Sequence, residues 1–227
     1  MYFLALMAAL CLSHASLALA SGKGKLSGGL LQGLNVGALT AGTMINPSAL
    51  RCIYSASTDG FDCQSFHSKV DVGLPSIVVA KVQSGGLAGI GGVIEILGGY
   101  TPFGYQSVND YRNTAKAFVF KKVVDGEIVK CPKLGGAEAA VYDLGDEGPV
   151  FGSEALKISL NAQKTGDVRL VTSRLGTDYA RLDGGSGGAG SISERRSTSV
   201  KAGNSLLSGS SVGKLIELEL YVDGGKL

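Results

Sequence analysis

The sequence predicts a mainly β, α+β fold, in which short strands close into a sandwich or barrel decorated by a few short helices. Three observations point there. The chain holds 35 glycines, which calls for many turns and argues against a helical bundle. Its apolar residues come in short β-branched or aromatic runs bounded by those glycines, the pattern of strands rather than of amphipathic helices. No segment recurs at a fixed period, which argues against a propeller or solenoid.

The elements follow in chain order. Tyr2 to Leu12 (YFLALMAALCL) is an apolar run, and the small residues Ala18 and Ala20 follow it. Residues 1–20 therefore read as a secretory signal peptide cleaved after Ala20, although no Lys or Arg precedes the apolar run. Residues 21–49 form a Gly/Ser/Lys-rich lead-in with Leu30, Leu31, Leu34 and Val36 as apolar points, and the packed part is expected to begin near Leu50. Lys23 and Lys25 are too few to hold the chain on anionic lipid.

Arg51 to Ala56 reads as a strand, Asp59-Gly60 as a tight turn, and a short helix opens after Asp62, the natural N-cap for Gln64 or Ser65. Ser76 to Val82 (SIVVAKV) and Val93 to Leu97 read as strands joined through a glycine-dense segment, Gly85 to Gly92. Gly98 to Gly104 (GGYTPFG) reads as a turn cluster. Ala117 to Val124 (AFVFKKVV) leads through an Asp125-Gly126-Glu127 hairpin turn into Ile128 to Lys130. Ala139 to Leu144 and Ala155 to Leu160 are two further strands flanking Gly148 to Gly152. Asp183 to Gly190 (DGGSGGAG) is expected to be a mobile loop. Lys214 to Val222 (KLIELELYV) closes the fold, with Leu215, Glu217, Glu219 and Tyr221 alternating against Ile216, Leu218, Leu220 and Val222.

Composition excludes several functions. A net charge of +2 and the lack of Trp give no basis for nucleic-acid binding. Loss of the signal removes Cys11 and His14, leaving Cys52, Cys63, Cys131 and a lone histidine, His67. One histidine and no C-x-x-C pair exclude structural zinc, so no metal or cofactor is expected. Gly85-Gly86 and Gly89 to Gly92 lack the Gly-Lys-Ser/Thr of a phosphate loop. Ser55 and Ser57 lack the G-x-S-x-G setting of a hydrolase nucleophile.

The motifs resemble the TLDc domain in four ordered blocks. Tyr54 to Phe61 (YSASTDGF) with Ser65 to Lys69 (SFHSK) is similar to its opening signature. Gly98 to Gly104 with Ala117 to Phe120 (AFVF) resembles the second, in a form closest to plant and algal members. Ala140 to Asp143 (AVYD) with Gly148 to Gly152 (GPVFG) resembles the third, and Ser173 to Arg181 (SRLGTDYAR) with Ile216 to Tyr221 (IELELY) the closing portion. The resemblance covers residues 50–223. It implies a β-sandwich of two antiparallel sheets with flanking short helices, no established catalytic set, a role in resistance to oxidative damage, and a protein partner. In several eukaryotic members that partner is the vacuolar proton-pumping ATPase, which would apply here only to a cytosolic chain. The residues carrying the family motif are Ser55, Asp59, Gly60, Phe61, Phe66, His67, Gly99, Phe118, Phe120, Gly148, Phe151 and Gly152.

Cys63 and His67 are the sharpest chemical candidates. They are four apart on one helix face, and Cys63 lies near the helix N-terminus, where the dipole favours a thiolate. That pair would suit a peroxide-reactive thiol. The alternatives are that Cys63 packs against the sheet, or forms a disulfide with Cys52 on the preceding strand. Asp59, Asp62 and Asp71 lack the spacing of a calcium loop and are read as turn and cap residues. Asp143, Asp146, Glu147 and Glu154 are read as a solvated acidic loop. The combined expectation is a non-catalytic protective or interaction module in the secretory pathway. A thiol redox enzyme using Cys63 and a secreted glycan- or protein-binding β-sandwich are the alternatives.

Overall fold

The computed structural model describes residues 29–85, 92–161, 169–185 and 203–227. The segment read as a signal, Lys23 and Lys25, and most of the Gly85 to Gly92 and Asp183 to Gly190 segments lie outside them. Eleven described strands dominate: β1 (Leu50–Ser55), β2 (Ser76–Ser84), β3 (Val93–Thr101), β4 (Asp110–Arg112), β5 (Phe118–Lys122), β6 (Ile128–Pro132), β7 (Val141–Asp143), β8 (Val150–Phe151), β9 (Leu156–Ile158), β10 (Leu170–Thr172) and β11 (Val212–Asp223). Three short α-helices accompany them: α1 (Val36–Thr40), α2 (Ala56–Asp59) and α3 (Cys63–Val70).

All described strands lie on one antiparallel hydrogen-bonded path, β4-β7-β8-β9-β10-β11-β2-β3-β5-β6, with β1 added to β11. The spine is β11. One of its sides pairs with β2 over nearly its whole length. Its other side takes β10 at the start and β1 at the end. The path folds over on itself, because Phe151 of β8 lies against Gly99 of β3, with four strands between them along the path. The described strands form one folded sheet, where the resemblance implies two.

Strand β2 is buried on both faces, as its run of β-branched residues suits. Val78, Ala80 and Val82 enter the main core with Leu97, Val119, Phe151, Leu156, Ile158 and Leu218. Ile77 and Val79 point the other way, into a second cluster with Tyr100, Phe118, Phe120 and Tyr221. That second face is covered by Leu31, Leu39 and Ile45. Packing therefore starts well before Leu50, inside the stretch read as a lead-in.

The hairpin between β5 and β6 turns through Asp125 and Gly126, both at positive φ, as the Asp-Gly pair predicts. Other expectations change. Gly98 and Gly99 continue β3 instead of forming a turn, and the chain turns later, at Gly104 with φ 64°. Residues 148–152 hold β8 rather than turn alone, and β4 and β10 are strands that the sequence pattern does not announce. The strand at Arg51 ends at Ser55, and a single helical turn, α2, precedes Gly60. In β11 a bulge between Leu215 and Glu217 leaves Ile216 exposed and places Leu215 with Leu218, Leu220 and Val222 in the main core. One extra residue reverses the alternation on its N-terminal side.

Candidate functional site

The helix α3 starts where Asp62 caps it, accepting hydrogen bonds from the Ser65 N–H at 2.8 Å and the Ser65 hydroxyl at 2.7 Å. Its apolar face is Phe66 and Val70, four apart and buried. The Phe66 ring sits edge-on to Tyr54 and Tyr105. This anchoring turns Cys63, Gln64, His67 and Asp71 toward a groove of about 780 Å³. Phe61 and Asp62 continue that wall, and Gly145, Asp146, Leu160 and Asn161 form the other. Arg169 lies over the Phe61 ring, 3.5 Å from its centre.

His67 ties the two walls together. Its Nε2 is 2.9 Å from the Glu147 carbonyl oxygen. Its Nδ1 is 2.8 Å from Asp71 Oδ1 and 3.0 Å from the Ser107 hydroxyl. The Ser107 hydroxyl also donates to Asp71 Oδ2 at 2.5 Å. Ser107 and Asp71 thus share one ring nitrogen, whereas a Ser-His-Asp relay needs them on opposite nitrogens. Ser107 has φ 53°, a conformation uncommon for a residue with a Cβ. Asp143 holds it there, fully buried, accepting from the Gln106 and Ser107 N–H groups at 3.0 and 3.1 Å and pairing with Arg112 at 3.3 Å.

Cys63 and His67 share the groove, as their spacing predicts. The imidazole, however, is committed at both nitrogens to the groove walls. All three described cysteines are thiols, so Cys52 and Cys63 are not bridged. The Cys52 thiol donates to the Tyr54 carbonyl at 3.1 Å; partial burial and the nearby Glu219 carboxylate push it up to about 11. Burial pushes the Cys131 thiol up to about 12. Neither is a nucleophile near neutral pH.

The acidic residues divide. Asp59 accepts from the Ser55 N–H at 2.9 Å and pairs with Lys69 at 3.3 Å. With Asp62 it fills the turn and cap roles expected of it. Asp143 and Glu147 are not solvated: both are buried, Asp143 under the Ser107 turn and Glu147 paired with Lys157 at 3.2 Å. Glycine neighbours give the acidic stretch the look of a loop, and the partners that bury it come from other parts of the chain. Ser107 carried no sequence signal at all. Among the described residues, no group of histidine, cysteine or acidic side chains is arranged to hold a metal ion.

The family model that matches this chain is that of the TLDc domain, over residues 39–180, more than half of its length. The chain belongs to the TLDc domain family. No curated protein matches it. The match begins within the segment that covers the second sheet face, and β11 lies beyond its end while forming the spine of the same sheet.

Most TLDc motif residues serve packing. Gly60, at φ 117°, ends α2, and its carbonyl accepts from the Tyr54 hydroxyl at 2.6 Å. Phe118 stacks on Tyr100 and carries Lys130 over its face at 4.5 Å. Phe120 lies against Gly98, and Phe151 against Gly99. A Cβ at Gly148 would meet the Ile158 carbonyl at 2.2 Å, and Gly152 has φ 64° against Asp178. Ser55 begins α2 with no side-chain cap of its own. Of the motif set, Phe61 and His67 line the groove.

Proposed function

We propose that this TLDc domain is a non-catalytic interaction module that contributes to resistance against oxidative damage by binding a protein partner. The observation that carries the reading is the state of His67: both ring nitrogens are spent on holding the groove together, which leaves neither to activate Cys63. The groove itself supports a recognition role. It is bounded by Phe61 and Leu160 and edged by Asp62, Asp71 and Asp146, and His67 bridges its walls. An apolar floor with a few fixed polar groups is the usual make-up of a recognition site.

The compartment follows from the leader. An apolar run ending in Ala18 and Ala20 supports entry into the secretory pathway, away from the cytosolic face where the vacuolar ATPase meets its TLDc partners. A reporter fused to the full chain, with and without residues 1–20, tests this. Cleavage and luminal delivery of the intact fusion alone is the expected result; a cytosolic intact fusion overturns it and makes the ATPase the partner to assay.

Hydrogen peroxide consumption by the purified chain tests the catalytic question. The expected result is no turnover above buffer, and no change on Cys63→Ser. Turnover that disappears in Cys63→Ser would replace the interaction reading with a thiol enzyme.

A further inference from the structure

The bonds around His67 do not balance in protons if the ring is neutral. Carbonyl and carboxylate oxygens only accept, and three of them face the cluster. The Glu147 carbonyl faces Nε2 at 2.9 Å, Asp71 Oδ1 faces Nδ1 at 2.8 Å, and Asp71 Oδ2 faces the Ser107 hydroxyl at 2.5 Å. A neutral imidazole carries one N–H and Ser107 one O–H, so two protons meet three acceptors. The Ser107 proton is committed to Asp71, so it cannot also serve the ring at 3.0 Å. One further proton, on the imidazole or on Asp71, completes all three bonds.

We propose that His67, Asp71 and Ser107 form a proton-loaded clasp, which fastens α3 to the 143–147 wall of the groove and loosens as rising pH removes the third proton. Histidine is the side chain whose charge changes in the physiological range, and the ring here is largely shielded, its side chain 10 % exposed. The charged and titratable groups around it come from three sides. Asp62, Cys63 and Asp71 flank it along its own helix and into the groove. Ser107 faces it from the turn, with Asp143 and Arg112 behind. Asp146 stands on the opposite wall, and Glu147 faces it through its carbonyl while its carboxylate turns to Lys157. The clasp joins residues far apart in sequence, so its loss frees one wall from the other. It goes beyond the interaction reading and stands whatever the groove binds.

The sign is fixed by where the proton sits. The bonds that need the third proton exist only while it is bound, so on this proposal their stabilisation is present in mild acid and lost as pH rises. Thermal unfolding of the full chain at about pH 5.5 and about pH 8, on either side of the ordinary histidine range, measures it for three proteins. The wild-type midpoint is expected to fall between the two by about 2–4 °C more than that of either variant, the size of a single bond in a domain this long. His67→Gln removes the titrating ring. Asp71→Asn presents an amide N–H to Nδ1, so a neutral ring completes the cluster and the bridge survives without the extra proton. Flattened pH dependence in both variants supports the clasp. If His67→Gln lowers the midpoint equally at both pH values, the histidine is merely structural and the proposal fails. If His67→Gln does not fold, Asp71→Asn decides alone, and a wild-type pH dependence retained in it overturns the clasp.

Discussion

Gly98 and Gly99 stand side by side in β3, and each is glycine because of a different neighbour. A Cβ at Gly98 would lie 1.9 Å from the Val78 carbonyl oxygen, part of the paired strand. A Cβ at Gly99 would lie 2.5 Å from the edge of the Phe151 ring, a side chain that can tilt. Both Gly→Ala changes overpack the core, at a usual cost of about 1–3 kcal/mol, and Gly98→Ala is expected to be the worse of the two. Chemical denaturation of the two variants checks the order, and an equal or reversed ranking would show that Phe151 is the more rigid neighbour. Side-chain reasoning along the chain reads a Gly-Gly pair as a turn, because the reasons for these glycines are atoms of β2 and β8. The same blindness hid the clasp: His67 meets Ser107 40 positions away and the Glu147 carbonyl 80 positions away. What is legible is local, namely the Asp62 cap, the turn at Gly60 and the shared face of Cys63 and His67.

Short helices depend on their ends, and α3 has eight residues. The Ser65 N–H first, then the Ser65 hydroxyl, hold the Asp62 carboxyl below its ordinary range, and the Ser55 N–H does the same for Asp59, with Lys69 adding to it. A carboxylate depressed in the fold stabilises above its unfolded value and loses that contribution as pH falls through the folded one. Asp62→Ala is expected to cost about 1 kcal/mol at neutral pH, a difference that begins to shrink below about pH 4, the ordinary aspartate value, and is lost once pH has fallen through the lower value of the folded cap. Denaturant midpoints at pH 7 and in acid separate this from a packing defect, whose cost would not depend on pH. At this scale the long strands are readable from composition, as are β7 and β9 within their apolar runs, whereas β4, β8 and β10 are not. Strands β4, β8 and β10 have two or three residues each, too few to show alternation, and they form through pairing with β7, β9 and β11. The bulge at Ile216 likewise depends on how β2 runs alongside.

The whole molecule is a folded sheet buried on two faces, and the second face is closed by the segment 29–49. Leu30 N–H is held by Glu219 at 2.6 Å, and the Met44 N–H donates to the Tyr100 hydroxyl at 3.1 Å. Leu31, Leu39 and Ile45 then seal Ile77, Val79 and Phe120. Each buried side chain of this kind contributes about 1.5–3 kcal/mol, so the three together rival the net stability of an ordinary domain. A chain starting at Leu50 is expected to bind the apolar dye ANS and to lose its sharp unfolding transition; an unchanged midpoint would show that the cover is dispensable. Low apolar density hid this cover in the sequence, since three anchors among Gly, Ser and Thr carry no periodic pattern. The position of β11 has a further consequence in time. The spine strand is synthesised after every strand that pairs with it, so during translation β1, β2 and β10 wait with open edges on a nascent chain. Sheet formation then requires closure over large sequence separations, which is slow and leaves sticky intermediates exposed. A molecule built this way depends on whatever shields unfinished chains in the compartment where it is made, and its yield is set by that protection as much as by the stability of the finished sheet.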